Sequence, residues 1–172
     1  RYDDGNYPTS TQLRIDGAIY RFNARGYMVT GWVYEDGQWY YYGASGGQSS
    51  GWVRVHGTWY YLDPLTGAMA SGWTKVQGTW YYLSSSGAMR TGWVHDGFAW
   101  YYLTSSGALA TGWQRLGSSW YYLSPDGGAM ATGWLRDGDA WYYLTSSGAM
   151  ATGSRWIDGT RYVFDDEGRL MP

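Results

Sequence analysis

The stretch GWTKVQGTWYYLSSSGAMRTGW, from Gly72 to Trp93, contains the spacing on which the fold depends. It begins with a Gly-Trp pair, continues through Trp-Tyr-Tyr and a segment of small residues, and ends on another Gly-Trp pair. The Trp of each Trp-Tyr-Tyr recurs at steps of 20 or 21 residues, at Trp39, Trp59, Trp80, Trp100, Trp120 and Trp141. Self-similarity at a fixed period of this length is typical of stacked repeat architectures.

The Gly-Trp element keeps the same period, at Trp32, Trp52, Trp73, Trp93, Trp113 and Trp134. Weaker copies flank the series at residues 19–22 (IYRF) and 161–164 (RYVF). We therefore predict one repeat domain over residues 1–172: a degenerate N-terminal capping unit at 1–31, six full repeats at 32–153 and a C-terminal capping unit at 154–172. Altered end units are expected because the ends of a stack have no neighbour to cover them.

Each repeat predicts a β-hairpin. The short β-forming runs WVRV and WYYL surround a turn at His56-Gly57, and this hairpin should pair Trp52 with Tyr61. Asp-Gly is a strong signal for a two-residue turn, and it occurs at Asp36-Gly37, Asp96-Gly97, Asp137-Gly138 and Asp158-Gly159. A two-residue turn at Asp96-Gly97 would pair Trp93 with Trp100. Since one hairpin is marginal alone, the sequence predicts an all-β solenoid of eight stacked hairpins without helices.

The composition excludes several classes of protein. There are 13 Trp and 19 Tyr but only 3 Phe, so the apolar mass lies in aromatic rings with a polar group. The net charge of −2 indicates neither nucleic acid nor an anionic membrane as partner, and no apolar run predicts membrane insertion. The absence of Cys excludes disulfides and thiolate chemistry, and we expect no metal or cofactor. Because the chain starts at Arg1 without Met, we expect a piece of a longer protein.

The alternation of side chains along each strand predicts aromatic boxes between hairpins. Trp52 and Trp59 share one face of their hairpin, whereas Tyr60 points to the opposite face. When hairpins stack, the Trp face of one meets the Tyr face of the next, and the loop methionine lies at the edge. Ring faces carry negative electrostatic potential, so boxes without a cation of their own favour a ligand cation, best a quaternary ammonium.

At these residues the chain resembles the choline-binding repeats of Gram-positive bacteria and their phages. The pattern TGWVxxxGxWYYLxxSGAMATGW covers roughly Tyr27 to Gly153. The resemblance implies a left-handed superhelix of hairpins, with choline held between consecutive hairpins by two Trp, one Tyr and often a Met. The implied sites, named cages A to F, are Trp32, Trp39 and Tyr60 (A); Trp52, Trp59 and Tyr81 (B); Trp73, Trp80 and Tyr101 (C); Trp93, Trp100 and Tyr121 (D); Trp113, Trp120 and Tyr142 (E); and Trp134, Trp141 and Tyr162 (F).

Loop side chains are expected to complete the cages, namely Met69, Met89, Leu109, Met130 and Met150. We place Gln48 at the edge of cage A and expect that cage to be the weakest, because an amide cannot replace the soft contact of a thioether. Cage C, with Met89, should fill first, and Leu109 beside cage D is a milder change. The end hairpins should form no cage of their own, because their Trp positions hold Gln12, Ile19, Ser154 and Arg161.

The resemblance implies a non-catalytic module, secreted and held non-covalently at the bacterial surface by choline or phosphocholine of teichoic acids. The alternative is a module for glucan or another surface carbohydrate, since the end units resemble glucan-binding and clostridial-toxin repeats. A wall hydrolase would carry its catalytic domain elsewhere. The aromatics could also be plain core, but Trp pairs close a solenoid poorly, and Leu62, Leu83 and Leu103 are better core candidates. We expect His56 and His95 to be exposed turn residues. The oligomeric state stays open.

Overall fold

A computed structural model describes residues 7–172, which form sixteen β-strands and no helix. The strands are β1 Thr11–Ile15, β2 Ala18–Phe22, β3 Gly31–Glu35, β4 Gln38–Tyr42, β5 Gly51–Val55, β6 Thr58–Leu62, β7 Gly72–Val76, β8 Thr79–Leu83, β9 Gly92–His95, β10 Trp100–Leu103, β11 Gly112–Leu116, β12 Ser119–Leu123, β13 Gly133–Asp137, β14 Ala140–Leu144, β15 Gly153–Ile157 and β16 Thr160–Phe164. Residues 1–6 of the predicted N-terminal unit lie outside the described residues.

Consecutive strands pair into eight two-stranded sheets, one for each predicted repeat. In the β5–β6 hairpin Trp52 lies opposite Tyr61, as the sequence predicts, and Arg54 lies opposite Trp59. Equivalent residues pair in the β3–β4, β11–β12 and β13–β14 hairpins, so the same side chains face the same way in each of them. The prediction of an all-β fold of hairpin repeats is confirmed.

The prediction of a two-residue Asp-Gly turn is wrong at two of the four positions. Asp36 and Gly37 form the expected turn, with φ of 50° and 78°. Asp137 instead ends β13 opposite Ala140, so the turn lies one residue later and begins at Gly138, where φ is 58°. Between β9 and β10 the loop has four residues rather than two, because the Asp96 carboxylate accepts hydrogen bonds from the backbone N–H groups of residues 98 and 99 at 3.0 and 3.1 Å.

The wider loop at Asp96 changes the register that we predicted for this hairpin. His95 lies opposite Trp100, and Trp93 lies opposite Tyr102 rather than Trp100. His95 is therefore the last residue of β9 and not a turn residue, although it is exposed as expected. The correction gives this hairpin the register of the others, so Trp93 and Trp100 are diagonal neighbours on one face.

In seven of the eight hairpins the last residue of the second strand is a large buried core residue, whereas the equivalent Phe22 of the first hairpin is half-buried. Tyr42, Leu62, Leu83, Leu103, Leu123 and Leu144 are all 0% exposed, and Phe164 is 2% exposed. The predicted core role of Leu62, Leu83 and Leu103 is confirmed. The second Tyr of each pair packs on the Trp opposite, as in Trp52–Tyr61 with ring centroids 5.1 Å apart. Because these residues form the core, most Trp rings are not needed there.

The chain divides into two compact units. One unit contains the described residues of Arg1–Val76, together with Tyr82–Met89, and the other contains Gln77–Tyr81 with Arg90–Pro172. The predicted domain boundaries stay predictions. No helix that could cross a membrane is found among residues 7–172.

Candidate functional site: aromatic cages between hairpins

Cage A is assembled from consecutive hairpins of the first unit. Trp32 and Trp39 come from β3 and β4, and their rings stand nearly perpendicular, at 87° with centroids 6.4 Å apart. Tyr60, from the next hairpin, closes a third side 4.8 Å from Trp32. The three rings open onto a cavity of about 310 Å³ that Met69 also lines. This volume lies at the lower end of the range for small-molecule sites.

Cage D repeats this geometry in the second unit. The rings of Trp93 and Trp100 cross at 85° with centroids 6.5 Å apart, and Tyr121 lies 5.0 Å from Trp93. The cavity measures about 380 Å³, and Met130 supplies its thioether wall. The corner that two perpendicular rings make with a third presents several π-faces to one small group.

Cages E and F follow in the same unit. Tyr142 lies 4.8 Å from Trp113, and together with Trp120 and Met150 these rings line a cavity of about 350 Å³. In cage F the rings of Trp134 and Trp141 cross at 84°, with centroids 6.3 Å apart. Tyr162 lies 4.8 Å from Trp134. The last hairpin, which has no Trp pair at the cage positions, thus supplies a wall to the cage before it.

Cages B and C draw residues from both compact units, so their assembly stays a prediction. The parts of these cages that lie within one unit have the same geometry as in the other cages. Trp52 and Trp59 make the same corner, at 89° and 6.4 Å. The backbone N–H of Leu109 donates to the carbonyl of Trp80 at 2.8 Å, which is the contact that positions the loop residue in the other cages.

The loop methionines lie one repeat away from the cages to which we assigned them. The backbone N–H of Met69 donates to the carbonyl of Trp39 at 2.8 Å, so each loop returns to the hairpin before its own. Met69 therefore lines cage A in place of Gln48, whose N–H bonds instead to Ile19. The prediction that Gln48 weakens cage A is wrong.

The same hydrogen bond corrects the remaining placements. Met89 donates to Trp59 of cage B, which contradicts its placement in cage C. Met130, and not Leu109, lines cage D. Leu170 donates to Trp141 at 2.7 Å and takes this position in cage F in place of Met150, which lines cage E. The predicted order of filling therefore loses its basis.

Each described cavity also has a rim that the sequence analysis missed. The rim is the turn of the loop two hairpins further on: Ser85 and Ser86 for cage A, Ser146 and Ser147 for cage D, and Asp166 and Glu167 for cage E. One cage therefore contains residues of three successive repeats. These turns follow the first Trp of their cages by 53 and 54 residues in each case, but every position of a repeat has such a constant spacing, so the period alone does not show which turn reaches which cage.

A glycine after each rim turn makes room for the methionine. Gly87 has φ of 79°, and a Cβ built on it would lie 2.2 Å from the Sδ atom of Met69. Gly148 has the same relation to Met130, at 2.3 Å. The Gly of the SGAM segment is thus required both by its backbone conformation and by the side chain that passes beneath it.

The N-terminal hairpin has polar groups where the cages have aromatic walls. Gln12 stands in the place of the first Trp, and its amide donates to the Tyr42 hydroxyl at 3.0 Å. Arg21 pairs with Glu35, and this hydrogen bond raises the pKa of the guanidinium. Burial raises the pKa of Tyr42. The cavity here, about 400 Å³, is lined mainly by polar side chains, in agreement with the expectation that this hairpin forms no Trp cage.

The C-terminal hairpin differs in another way. Ser154 and Arg161 occupy the two Trp positions and bond to each other, with Arg161 Nε donating to the serine hydroxyl at 2.7 Å. Among residues 7–172, no group of three or more His, Asp or Glu side chains is arranged to hold a metal ion.

The arrangement is suited to binding a small cation through π-faces. The second Trp of each cage is far from buried, with 44% exposure at Trp39, 47% at Trp100, 40% at Trp120 and 45% at Trp141. Exposed aromatic surface repeated at this level marks a site of interaction rather than a core. The cavities of cages A and D contain no charged residue in their lining, so an entering cation meets rings, a thioether and two hydroxyls.

Comparison with known proteins gives the same picture. The family model of the choline-binding repeat matches residues 9–50, 36–71, 70–111 and 110–154. CbpJ from Streptococcus pneumoniae TIGR4 is 45% identical over 90% of this chain and 56% of its own, with a TM-score of 0.87. Choline binding protein F from Streptococcus pneumoniae is 39% identical over 95% of this chain and 58% of its own, with a TM-score of 0.87.

The choline-binding domain of CbpL from Streptococcus pneumoniae is 38% identical over 95% of this chain and 87% of its own, with a TM-score of 0.72. The chain thus spans little more than half the length of CbpJ and of choline binding protein F. No curated protein matches it.

Proposed function

Because the chain belongs to the choline-binding repeat family, we propose that it is a binding module that attaches a larger protein to choline-bearing teichoic acids. The cages bind the trimethylammonium group, and the polymer presents many such groups to one module. The attachment is non-covalent and lies at the bacterial cell surface. The module acts by binding alone, and any catalytic activity belongs to another part of the protein that carries it.

One observation supports this proposal most strongly. Cages A, D and E each surround an open cavity with two Trp, one Tyr and one Met, in the same relative positions. A quaternary ammonium has no N–H to satisfy and is weakly hydrated, so it loses little on entering such a cavity. It gains attraction to each ring face, on the order of 0.5–2 kcal/mol per aromatic contact.

Several cages on one chain convert weak single sites into firm attachment. A cation held mainly by ring faces binds with modest affinity, because each contact is small. When a second cage engages the same polymer, its binding is intramolecular and takes place at a high effective concentration. Linked sites can then exceed the affinity of one site by about 10²–10⁴-fold without any new kind of contact.

A solved relative supports the choice of ligand class. A crystal structure of CbpF in complex with ipratropium, obtained by soaking, is 37% identical over 96% of this chain and 60% of its own, with a TM-score of 0.83. Ipratropium, like choline, contains a quaternary ammonium nitrogen. A carbohydrate ligand is less well supported, because sugars require several polar groups around each ring, and the cavities of cages A and D offer two serines each.

Retention on a quaternary-ammonium resin, followed by elution with free choline, tests the proposal, with a glucan column beside it. Calorimetric titration with choline should give saturable binding that glucan oligomers do not compete. Replacing Trp100→Leu should remove one site, because this ring forms a wall of cage D. Trp156→Leu is the matched control, since this Trp is 74% exposed and lies in no cage.

The two variants make the result specific. We expect the number of choline sites to fall by one in Trp100→Leu and to stay unchanged in Trp156→Leu. Saturable glucan binding without any choline heat would refute the proposal and favour a carbohydrate module. Equal effects of both replacements would show that the cages are not where choline binds.

A further inference from the structure

The three cages with a described cavity have the same walls but different rims. Ser85 and Ser86 rim cage A, and cage D has an equivalent pair of serines. Cage E has Asp166 and Glu167 at the same positions. Both acidic side chains are exposed and belong to the turn after β16. The cages therefore differ in charge at the mouth and not in the aromatic surface that a cation would meet.

A further carboxylate lies against the wall of cage E. The indole N–H of Trp113 donates to Asp137 Oδ2 at 2.8 Å, so this acid is held at the first Trp of the cage. The basic residue that the strand register places beside the cage is Arg115, opposite Trp120. Arg169, in the same loop as the rim, is paired with Asp165 at 3.9 Å. Apart from the Asp165–Arg169 pair, three carboxylates, those of Asp137, Asp166 and Glu167, thus stand around cage E against the single guanidinium of Arg115.

This distribution of charge separates two ligands that share a trimethylammonium group. Choline is a simple cation, whereas phosphocholine also carries a phosphate of about −1.5 to −2 charge at neutral pH, two carbons from the nitrogen. With the ammonium in the cage, the phosphate must lie near the mouth. Carboxylates repel it there, whereas serine hydroxyls can donate hydrogen bonds to its oxygens.

We propose that cage E selects an alkylammonium cation without an anionic substituent, whereas cages A and D also accept phosphocholine. This inference rests on the proposed function, because it assigns a specificity to cages that bind choline. Asp166 and Glu167 are the residues that determine the specificity. Asp137, which Trp113 holds at the cage by its hydrogen bond, adds a further negative charge. The exposed position of the rim limits the effect to about tenfold in relative affinity, since water and salt screen exposed charges.

Two exchanges of rim residues in the full chain test this inference. Asp166→Ser with Glu167→Ser gives cage E the rim of cage D, and Ser146→Asp with Ser147→Glu gives cage D the rim of cage E. The indole N–H signals of Trp113 and Trp93 in NMR spectra report on cages E and D separately. Each variant is titrated with choline and, in a second experiment, with phosphocholine.

In the wild type we expect choline to bind both cages and phosphocholine to bind cage E about tenfold more weakly than cage D. The first exchange should remove most of this difference, and the second should transfer the weak binding to cage D. Raising the salt concentration should reduce the discrimination in the wild type. If choline binds but the phosphocholine affinity at Trp113 is the same in the wild type and in the Asp166→Ser, Glu167→Ser variant, the inference is overturned while the proposed function stands. Absence of choline binding at every cage would instead overturn the proposed function.

Discussion

Replacing Gly148→Ala should both destabilise the protein and disturb one cage. Gly148 follows the serine rim of cage D and has φ of 81°. A Cβ at this position would lie 2.3 Å from Sδ, 2.7 Å from Cε and 2.9 Å from Cγ of Met130. All three distances are shorter than a normal contact, and because Cγ is among these atoms, the methionine must leave its rotamer rather than bend at its tip.

Gly159→Ala is the matched control for the backbone term. Gly159 has φ of 79°, nearly the same as Gly148, but no atom lies within 4 Å of its added Cβ. A non-glycine residue in this region costs about 1–2 kcal/mol. Overpacking adds about 1–3 kcal/mol, and the flexibility of Met130 favours the lower end. We therefore expect a loss of about 1–2 kcal/mol for Gly159→Ala and about 2–4 kcal/mol for Gly148→Ala.

Urea denaturation without ligand measures the two losses, and titration of the Trp93 indole signal with choline measures the effect on cage D. Gly148→Ala should weaken choline binding at Trp93, because Met130 lines that cavity, whereas Gly159→Ala should leave it unchanged. Equal losses of stability in the two variants, with normal choline binding at Trp93, would show that the glycine serves the backbone alone and that our account of the methionine is incorrect.

Three further predictions concern the core, the ligand and the N-terminal cluster. Leu144→Ala, at a residue with 0% exposure, should lower the free energy of unfolding measured in urea by about 2–5 kcal/mol. Leu65→Ala, at a residue with 95% exposure, should change it by less than about 0.5 kcal/mol. Similar losses in the two variants would contradict the assigned core. The melting temperature should rise steadily with millimolar choline, because choline binds only the folded cages. A melting temperature that does not change with choline concentration would show that the aromatic residues serve only as core. Above pH of about 10 unfolded Tyr42 ionises, whereas burial raises the pKa of the folded side chain, so stability should fall as pH rises from there. The unfolding midpoint of Tyr42→Phe should fall less over this pH range than that of the wild type, and parallel pH profiles would exclude this contribution.

The hairpins could be predicted from the sequence because their causes are local. Side chains alternate along a strand, so Trp52 and Trp59, seven residues apart, share a face whenever the loop between the two strands has an even number of residues. The prediction of the β9–β10 register was wrong for an equally local reason. Asp-Gly predicts a two-residue turn, but at Asp96 the carboxylate binds two backbone N–H groups and holds a loop of four residues. The equal spacing of Trp93 and Trp100 would have been the better guide.

The path of the loop could not be predicted in the same way. Met69 lies between the β5–β6 and β7–β8 hairpins in sequence, yet its backbone N–H donates to the Trp39 carbonyl of the β3–β4 hairpin, and only the structure shows this return. The rim residues are more distant still, because Ser85 follows Trp39 by 46 residues. Their approach depends on how far one repeat rotates against the next, and alternation and turn chemistry contain no information on that angle.

The sharing of each cage among three repeats explains how one cage can diverge while the repeat pattern is kept. A hairpin contributes its Trp pair to one cage. Its first Tyr and the methionine of the loop that follows it contribute to the cage before, and the turn of that same loop forms the rim of the cage before that. The last hairpin lacks the Trp pair, yet Tyr162 and Leu170 contribute to cage F and Glu167 to cage E. Because the rim turn is exposed, a change there alters the charge at one cavity and leaves the core unaffected, whereas a change in a Trp alters a wall. Ligand preference can therefore vary from cage to cage through residues that contribute little to folding.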